Sequence, residues 1–266
     1  MNCMKSCQTV RRALAVLCLA IAGLFACRLE VPIREMTQAR LGIMRATEVK
    51  AEKYAPEELG NARNLLLKSH QDVGEEKEDQ ARESAVKSKE ESDKAIAKSL
   101  PLLSRDTYND SKKTYDEAEL LFAERYASAP FAAAGSGLRE ADKLHNDKSF
   151  WESYQKSAAA GRQAAEAKSI AEAKIPEVRA EIARVEGEAQ KLGAQRGQQF
   201  ASSEIGTARQ KLQTAGEKVQ ERNLKAAVPL IDEAKASLAG AEKKTLKGIA
   251  EEKLAAARTS LQTASS

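Results

Sequence analysis

The feature of the sequence that most constrains the fold is an aromatic-Ala pair that occurs three times, as Tyr54-Ala55, Tyr126-Ala127 and Phe200-Ala201. Counted forward from each aromatic residue, apolar or small residues recur in alternating steps of three and four, which is the spacing of one face of an α-helix. The aligned sets are Leu59, Phe131 and Ile205; Ala62, Ala134 and Ala208; Leu66, Leu138 and Leu212; Ser69, Ala141 and Ala215; and Val73, His145 and Val219. Self-similarity at a fixed spacing is typical of stacked helical repeats.

The same register continues into a second aligned segment of each copy. Its sets are Ala81, Ser153 and Ala227; Ala85, Ser157 and Ile231; Ser88, Ala160 and Ala234; Ser92, Ala164 and Leu238; and Ala95, Ala167 and Ala241. The alternative is a low-complexity helical sequence rich in Ala, Glu and Lys, in which many alignments look acceptable. Because the large residues align as well as the alanines, we favour a repeat.

Each copy is predicted to contain a helical hairpin, because polar, turn-prone residues separate its two aligned segments. These turns are Gly74-Glu75-Glu76-Lys77, Asn146-Asp147-Lys148 and Glu221-Arg222-Asn223. Upstream of each aromatic residue, an apolar-Pro pair (Val31-Pro32, Leu100-Pro101 or Ile175-Pro176) indicates the start of a leading helix, since proline suits a first helical turn. The sequence therefore predicts three helical units, over residues 31–99, 100–174 and 175–266.

The composition predicts an all-α fold without a β-sheet. Charged residues make up 31% of the chain and aromatic residues only 4%, and strong helix formers dominate. No stretch alternates β-branched and polar residues as a half-buried strand would. We expect an elongated bundle or solenoid of long helical hairpins, in which alanine seams bury little area each and stability comes from long lines of contact.

The N-terminal residues are predicted to be a lipoprotein signal peptide over residues 1–26, followed by a lipidated tether over residues 27–30. A basic segment with Lys5, Arg11 and Arg12 precedes a short apolar run that ends at Ala26, too short to span a membrane. Cys27 follows directly, and no cysteine lies after it. An ordinary signal peptide and an uncleaved anchor are the alternatives.

The sequence Leu24-Phe25-Ala26-Cys27 resembles a bacterial lipobox, although Phe25 stands where a small residue is usual; spirochaete lipoboxes are looser. The resemblance implies cleavage before Cys27 and attachment of diacylglycerol to its sulfur, followed by acylation of the new amine. Two or three acyl chains give stable membrane attachment. Arg28 is not the aspartate that retains some lipoproteins at the inner membrane, which favours the outer membrane.

The charge of the chain argues against nucleic acid, or an anionic membrane surface, as its main partner. The formal net charge of +4 includes Lys5, Arg11 and Arg12, so the chain after residue 26 is nearly neutral. A nucleic-acid-binding protein would carry a basic face.

The sequence carries no recognisable catalytic or cofactor motif, so we expect no enzyme activity, no cofactor and no metal. It has no phosphate-binding loop, no nucleophile elbow and no zinc-protease motif. Its two histidines, His70 and His145, do not cluster with other ligands and are interpreted as structural.

One group of aromatic residues in the middle unit is a candidate recognition surface, because aromatic side chains are enriched at such surfaces. Phe150 aligns with Leu224 and is predicted to lie in the core. Trp151 and Tyr154 align with charged or smaller residues, so we expect this pair to be exposed and to form a partner-binding surface.

The segment Tyr54-Ala55-Pro56-Glu57-Glu58-Leu59-Gly60-Asn61-Ala62-Arg63 resembles the opening of helical repeats of a domain of unknown function in bacterial envelope lipoproteins, and treponemal membrane lipoproteins carry similar segments. Phe200-Ala201-Ser202-Ser203-Glu204-Ile205-Gly206-Thr207-Ala208-Arg209 is recognisably similar, whereas the second copy is degenerate. The helix-turn-helix arrangement of each hairpin is similar to that of tetratricopeptide repeats. However, the period here is about twice as long, and the Trp and Pro landmarks of tetratricopeptide repeats are missing. The resemblance implies an envelope location and a structural or interaction role.

We therefore expect a lipid-anchored helical-repeat protein, at the outer membrane or on the periplasmic face of the inner membrane, that docks another envelope protein. A surface-exposed adhesin or antigen, and a ligand-binding accessory protein of a transporter, are the alternatives. Unpaired alanine seams also leave a homo-oligomer open.

Overall fold

The computed structural model describes residues 31–265, and in that range every regular element is helical, which confirms the all-α prediction. The elements are α1 (Ile33–Glu48), α2 (Ala51–Tyr54), α3 (Pro56–Gly74), α4 (Glu78–Leu120), α5 (Ala123–Tyr126), α6 (Ser128–Asn146), α7 (Phe150–Glu172), α8 (Ile175–Leu192), a π-helical turn (Gly193–Gly197), α9 (Gln198–Phe200), α10 (Ser202–Gln220) and α11 (Leu224–Ser265). Cys27, the predicted signal peptide and the tether lie outside the described residues. None of the described helices combines the length and the apolar character needed to cross a membrane.

The described residues form two compact units, which divide between Leu103 and Ser104 within α4. The first unit contains α1, α2, α3 and the beginning of α4. The second contains the remainder of α4 and the helices after it. The division into three units, over residues 31–99, 100–174 and 175–266, stays a prediction.

The backbone makes the same double break around each aromatic-Ala pair. Four residues before each aromatic residue, a non-glycine residue adopts the left-handed conformation; these residues are Lys50 (φ 57°), Phe122 (φ 62°) and Arg196 (φ 73°). The alanine of each pair then leaves the helix with an extended φ; these residues are Ala55 (−146°), Ala127 (−144°) and Ala201 (−143°). The three alanines are buried. A left-handed non-glycine residue costs about 1 kcal/mol, so the packing of the flanking helices must stabilise the break.

Each hairpin turn is a Schellman motif whose left-handed residue is charged rather than glycine. Glu76 (φ 60°), Lys148 (φ 63°) and Arg222 (φ 60°) occupy this position. In each turn the next residue donates its N–H to the carbonyl five residues earlier, as Lys77 N does to Asp72 O at 2.8 Å. These bonds satisfy carbonyl groups that a helix end leaves without a partner.

The core of the first unit is built mostly from small side chains. Ala46, Ala51, Ala55, Leu59 and Ala95 form its buried cluster. Between α3 and α4, buried serines bridge the helices directly: Ser69 Oγ donates to Ala81 O at 2.7 Å, and Ser88 Oγ donates to Ala62 O at 2.6 Å. Such bonds require close helix approach, which the small side chains permit.

The second unit has a larger apolar core that is continuous over residues of the predicted second and third units. Its biggest fully buried side chains are Leu121, Val185, Ile205, Leu212, Val219 and Leu224. Tyr115 of α4 stacks on Phe131 of α6, with ring centroids 4.4 Å apart. Contact among α4, α6, α8, α10 and α11 therefore unites this part of the chain.

The residues that mark the repeat occupy related environments. Tyr54, Tyr126 and Phe200 are all half-buried. At plus twelve, Leu138 and Leu212 are buried while Leu66 is half-buried. All the residues aligned in the second segment, from the Ala81 set to the Ala95 set, are buried.

One expected helix start is wrong: Pro101 lies inside the continuous helix α4 instead of opening a new one. Proline removes the hydrogen bond that residue 101 would donate to the carbonyl of Ala97. Ala97 is exposed, so water can reach the residues around it. Ser99 and Leu103, each two residues from the proline, are buried. Packing on both sides of the proline therefore keeps the helix continuous. The predicted starts near Pro32 and Pro176 agree with the structure.

Candidate partner-binding surface

The predicted surface residues Trp151 and Tyr154 lie in the first two turns of α7, directly after the Schellman turn at Lys148. Residues three apart share one face of a helix, and the two rings are in contact, with centroids 5.4 Å apart and planes inclined by 38°. The turn therefore sets where this face begins, and the helix holds the rings together.

All three aromatic residues at this helix start are half-buried. Trp151 and Tyr154, which we expected to be exposed, and Phe150, which we expected in the core, share this intermediate accessibility. Phe150 packs edge-on against His145, with ring centroids 5.1 Å apart. Trp151 and Tyr154 thus present part of their ring surface to solvent and anchor the rest on the protein. Their role in binding a partner stays a prediction.

A chain of buried hydrogen bonds supports this part of the second unit. Ser153 Oγ donates to Ala141 O at 2.8 Å, and Ser104 Oγ donates to Ser153 Oγ at 2.8 Å. Ser104 Oγ also lies 3.0 Å from His145 Nδ1. The chain joins α4, α6 and α7, so the helix that carries Trp151 is tied to two others at its first turn.

The directions of these hydrogen bonds determine which nitrogen of His145 carries the proton. Each hydroxyl has one proton, and Ser104 has already given its proton to Ser153, so the third bond must run from His145 Nδ1–H to Ser104 Oγ. Burial, and then the nearby Arg105 guanidinium, hold the pKa of His145 below its ordinary value, against the opposing effect of Asp142. His145 is therefore neutral at pH 7, with its proton on Nδ1.

This geometry does not form a Ser-His nucleophile pair. A histidine that activates serine must accept the hydroxyl proton, whereas His145 donates to Ser104. The Ser104 side chain is also completely buried, so a substrate cannot reach it. The arrangement acts as a structural link between helices.

Among the grooves on the described residues, four are open and lined by charged side chains. The largest, of about 610 Å³, runs between α3 and α4; its lining residues include Asn61, Lys68, Lys87, Glu91 and Lys94. The other three, of about 420, 470 and 370 Å³, lie within the second unit. Neither Trp151 nor Tyr154 lines any of these four grooves. Within residues 31–265, no three His, Cys, Asp or Glu side chains come together as metal ligands would.

The chain matches no protein-family model, and it resembles no curated protein and no solved structure closely enough to establish a relationship. The similarity to envelope lipoprotein repeats therefore stays a prediction.

Ser104 was not among the residues that the sequence indicated. It lies in the stretch that follows Pro101, where a helix start rather than a buried hydrogen-bond partner was expected. Its only signal was spacing: Ser104 and Ser111 are seven residues apart, on one helix face, and Ser111 Oγ donates to Ser157 O at 2.8 Å.

Proposed function

We propose that this protein is a lipid-anchored component of the bacterial cell envelope, and that it docks another envelope protein through a surface centred on Trp151 and Tyr154. The observation that carries the docking role is the contact between two half-exposed aromatic rings at the start of a firmly held helix. Aromatic side chains that are already ordered lose little conformational entropy on binding, which makes them effective anchors.

The hydrogen-bond chain beneath the surface supports this proposal. Ser153 lies between Trp151 and Tyr154 in sequence, points into the protein, and connects α7 to Ala141 and Ser104. A buried polar network therefore supports this surface, and it specifies one arrangement of the three helices.

The proposed location in the cell envelope depends on Cys27 and on the lipobox-like residues before it. Metabolic labelling with a clickable fatty acid, comparing the native chain with Cys27→Ala, tests it. We expect label that disappears in the variant. Label on neither protein would remove the anchor from the proposal.

Site-specific photo-cross-linking in intact cells tests the docking surface. A photoreactive amino acid at Trp151 or Tyr154 should give a discrete cross-linked band, whereas the same group at Glu152, an exposed neighbour on α7, should not. Equal cross-linking from all three positions would contradict a surface centred on the ring pair.

Protease treatment of intact cells distinguishes the alternatives. Protection of the chain favours a periplasmic docking role, and cleavage favours a surface adhesin or antigen. A small molecule cross-linked at Trp151, in place of a protein, would favour a ligand-binding accessory role.

A further inference from the structure

Helix α1 has an apolar stripe on the face that it turns away from the first unit. The buried residues of α1 are Ala39, Gly42 and Ala46. On the opposite side, Ile33, Leu41 and Met44 are exposed by 69%, 47% and 58%. At 3.6 residues per turn these three side chains fall within roughly 80° of the helix circumference, and the exposed Thr37 lies between Ile33 and Leu41 on the same face.

The equivalent positions of the other two copies are not apolar. Counted backward from the aromatic residues, Ile33, Leu41 and Met44 correspond to Arg105, Lys113 and Asp116 in the second copy and to Arg179, Gly187 and Gln190 in the third. Because the other leading helices pack without apolar residues here, the repeat itself does not require the stripe. It needs a separate explanation in the first copy.

Arginines border the stripe on both sides. Arg34 and Arg45 lie along one edge and Arg40 along the other, and all three are exposed. Of the two acidic residues in α1, Glu35 lies 3.9 Å from Arg82 of α4, and the exposed Glu48, the last residue of the helix, lies on the same face as the stripe. An apolar face flanked by basic residues is typical of a helix that lies in the plane of a membrane surface. Arginine stems can cover apolar surface there while the guanidinium groups bind lipid phosphates.

The position of α1 in the chain supports a bilayer as the occupant of this stripe. Ile33 lies six residues after Cys27, so a fully extended chain places the start of α1 at most about 20 Å from the lipidated residue. This step rests on the proposed lipidation of Cys27. A lipid anchor at that position keeps α1 close to the headgroups.

We propose that α1 lies on the membrane surface, with Ile33, Leu41 and Met44 at the boundary between headgroups and acyl chains, and with its arginines on the phosphates of anionic phospholipids. Three partly exposed side chains offer too little area for stable binding alone. The acyl chains therefore supply attachment, and α1 sets how the first unit faces the bilayer.

Fluorescence quenching in vesicles tests the proposal. The full-length protein, purified with its lipid, receives one cysteine labelled with an environment-sensitive fluorophore, at Met44 or at Leu67. Leu67 is the matched control, because it is 59% exposed and lies on α3 of the same unit. In phosphatidylglycerol-containing vesicles, we expect nitroxide-labelled lipid to quench the probe at residue 44 at least threefold more than the probe at residue 67. The difference should shrink in phosphatidylcholine vesicles, which lack net negative charge.

The outcomes separate this inference from the proposed anchor. Mass spectrometry first establishes whether Cys27 carries lipid. Lipid on Cys27 with equal quenching at residues 44 and 67 overturns the membrane role of α1 and leaves the anchor intact. A blue-shifted probe at residue 44 that nitroxide lipid does not quench indicates that a protein or a second copy covers the stripe, which also overturns the inference. Absence of lipid overturns the anchor and, with it, the tether that keeps α1 close to the headgroups.

Discussion

Replacing Gly248 with alanine should destabilise the protein, although the same replacement elsewhere in α11 should stabilise it. A Cβ atom at residue 248 would lie 2.3, 2.6 and 2.7 Å from three ring carbons of Phe200, far inside the ordinary contact distance of about 3.5–4.0 Å. Gly240 lies in the same helix, and a Cβ atom there would meet no heavy atom within 4 Å. The two glycines therefore differ in packing and share their helical setting.

The magnitudes follow from two opposing effects. Glycine to alanine in a helix interior lowers the free energy of the helix by about 1 kcal/mol. Overpacking costs typically about 1–3 kcal/mol, and displacement of Phe200 also weakens its contact with the Arg196 guanidinium, which lies 5.4 Å from the ring centroid. We therefore expect Gly240→Ala to raise the free energy of unfolding by about 0.5–1 kcal/mol and Gly248→Ala to lower it by about 1–2 kcal/mol.

Urea denaturation followed by circular dichroism at 222 nm measures both effects, and hydrogen exchange of α11 localises them. A Phe200→Ala background provides the decisive control, because Gly248→Ala should become stabilising once the ring is removed. If Gly248→Ala matches Gly240→Ala in the native background, or changes stability equally in both backgrounds, Phe200 does not pack on Gly248 as described.

Three further predictions concern the core, the hydrogen-bond chain and the hairpin turn. Leu212→Ala should lower the free energy of unfolding by about 3–5 kcal/mol because Leu212 is completely buried, whereas Leu246→Ala, at a residue 61% exposed, should change it by less than about 0.5 kcal/mol in the same urea titration. Because the folded protein holds the pKa of His145 below its ordinary value, the unfolded chain binds more protons, so stability should fall as pH decreases from about 7 to 5. His145→Gln should flatten that dependence in thermal melts at each pH. Lys148→Gly should raise the free energy of unfolding by about 0.5–1 kcal/mol, and with it the midpoint of thermal unfolding, since glycine adopts the left-handed conformation without steric cost; an unchanged midpoint would contradict this assignment of strain.

The helix starts and turns differ in how well local sequence predicts them. The polar segment around Asp147 correctly indicated a hairpin turn, because polar residues there have no apolar face to bury. Its left-handed residue is a lysine, and lysine carries no signal for that conformation. Pro101 gave a clear local signal for a helix start, and it was misleading because buried neighbours on both sides hold α4 continuous.

The candidate surface shows the same contrast. The repeat alignment predicted that Trp151 and Tyr154 are exposed and that Phe150 is a core residue, whereas all three are half-buried. Their half-buried state and ring contact depend on neighbouring helices that the alignment does not place. The pairing of Ser104 with His145 and Ser153 joins residues about 40 to 50 positions apart in sequence, and no local pattern specifies it.

The sequence by itself determined the helical class and the seam positions, because the steps of three and four and the turn-prone segments act within one or two helical turns. The tertiary structure alone decided which seams meet, where α4 continues through a proline, how hydrogen bonds tie α7 to its neighbours, and which face of α1 is exposed among residues 31–265. These properties depend on contacts between residues far apart in the chain. Such contacts can outweigh a local preference of one or a few kcal/mol, and the local sequence does not encode them.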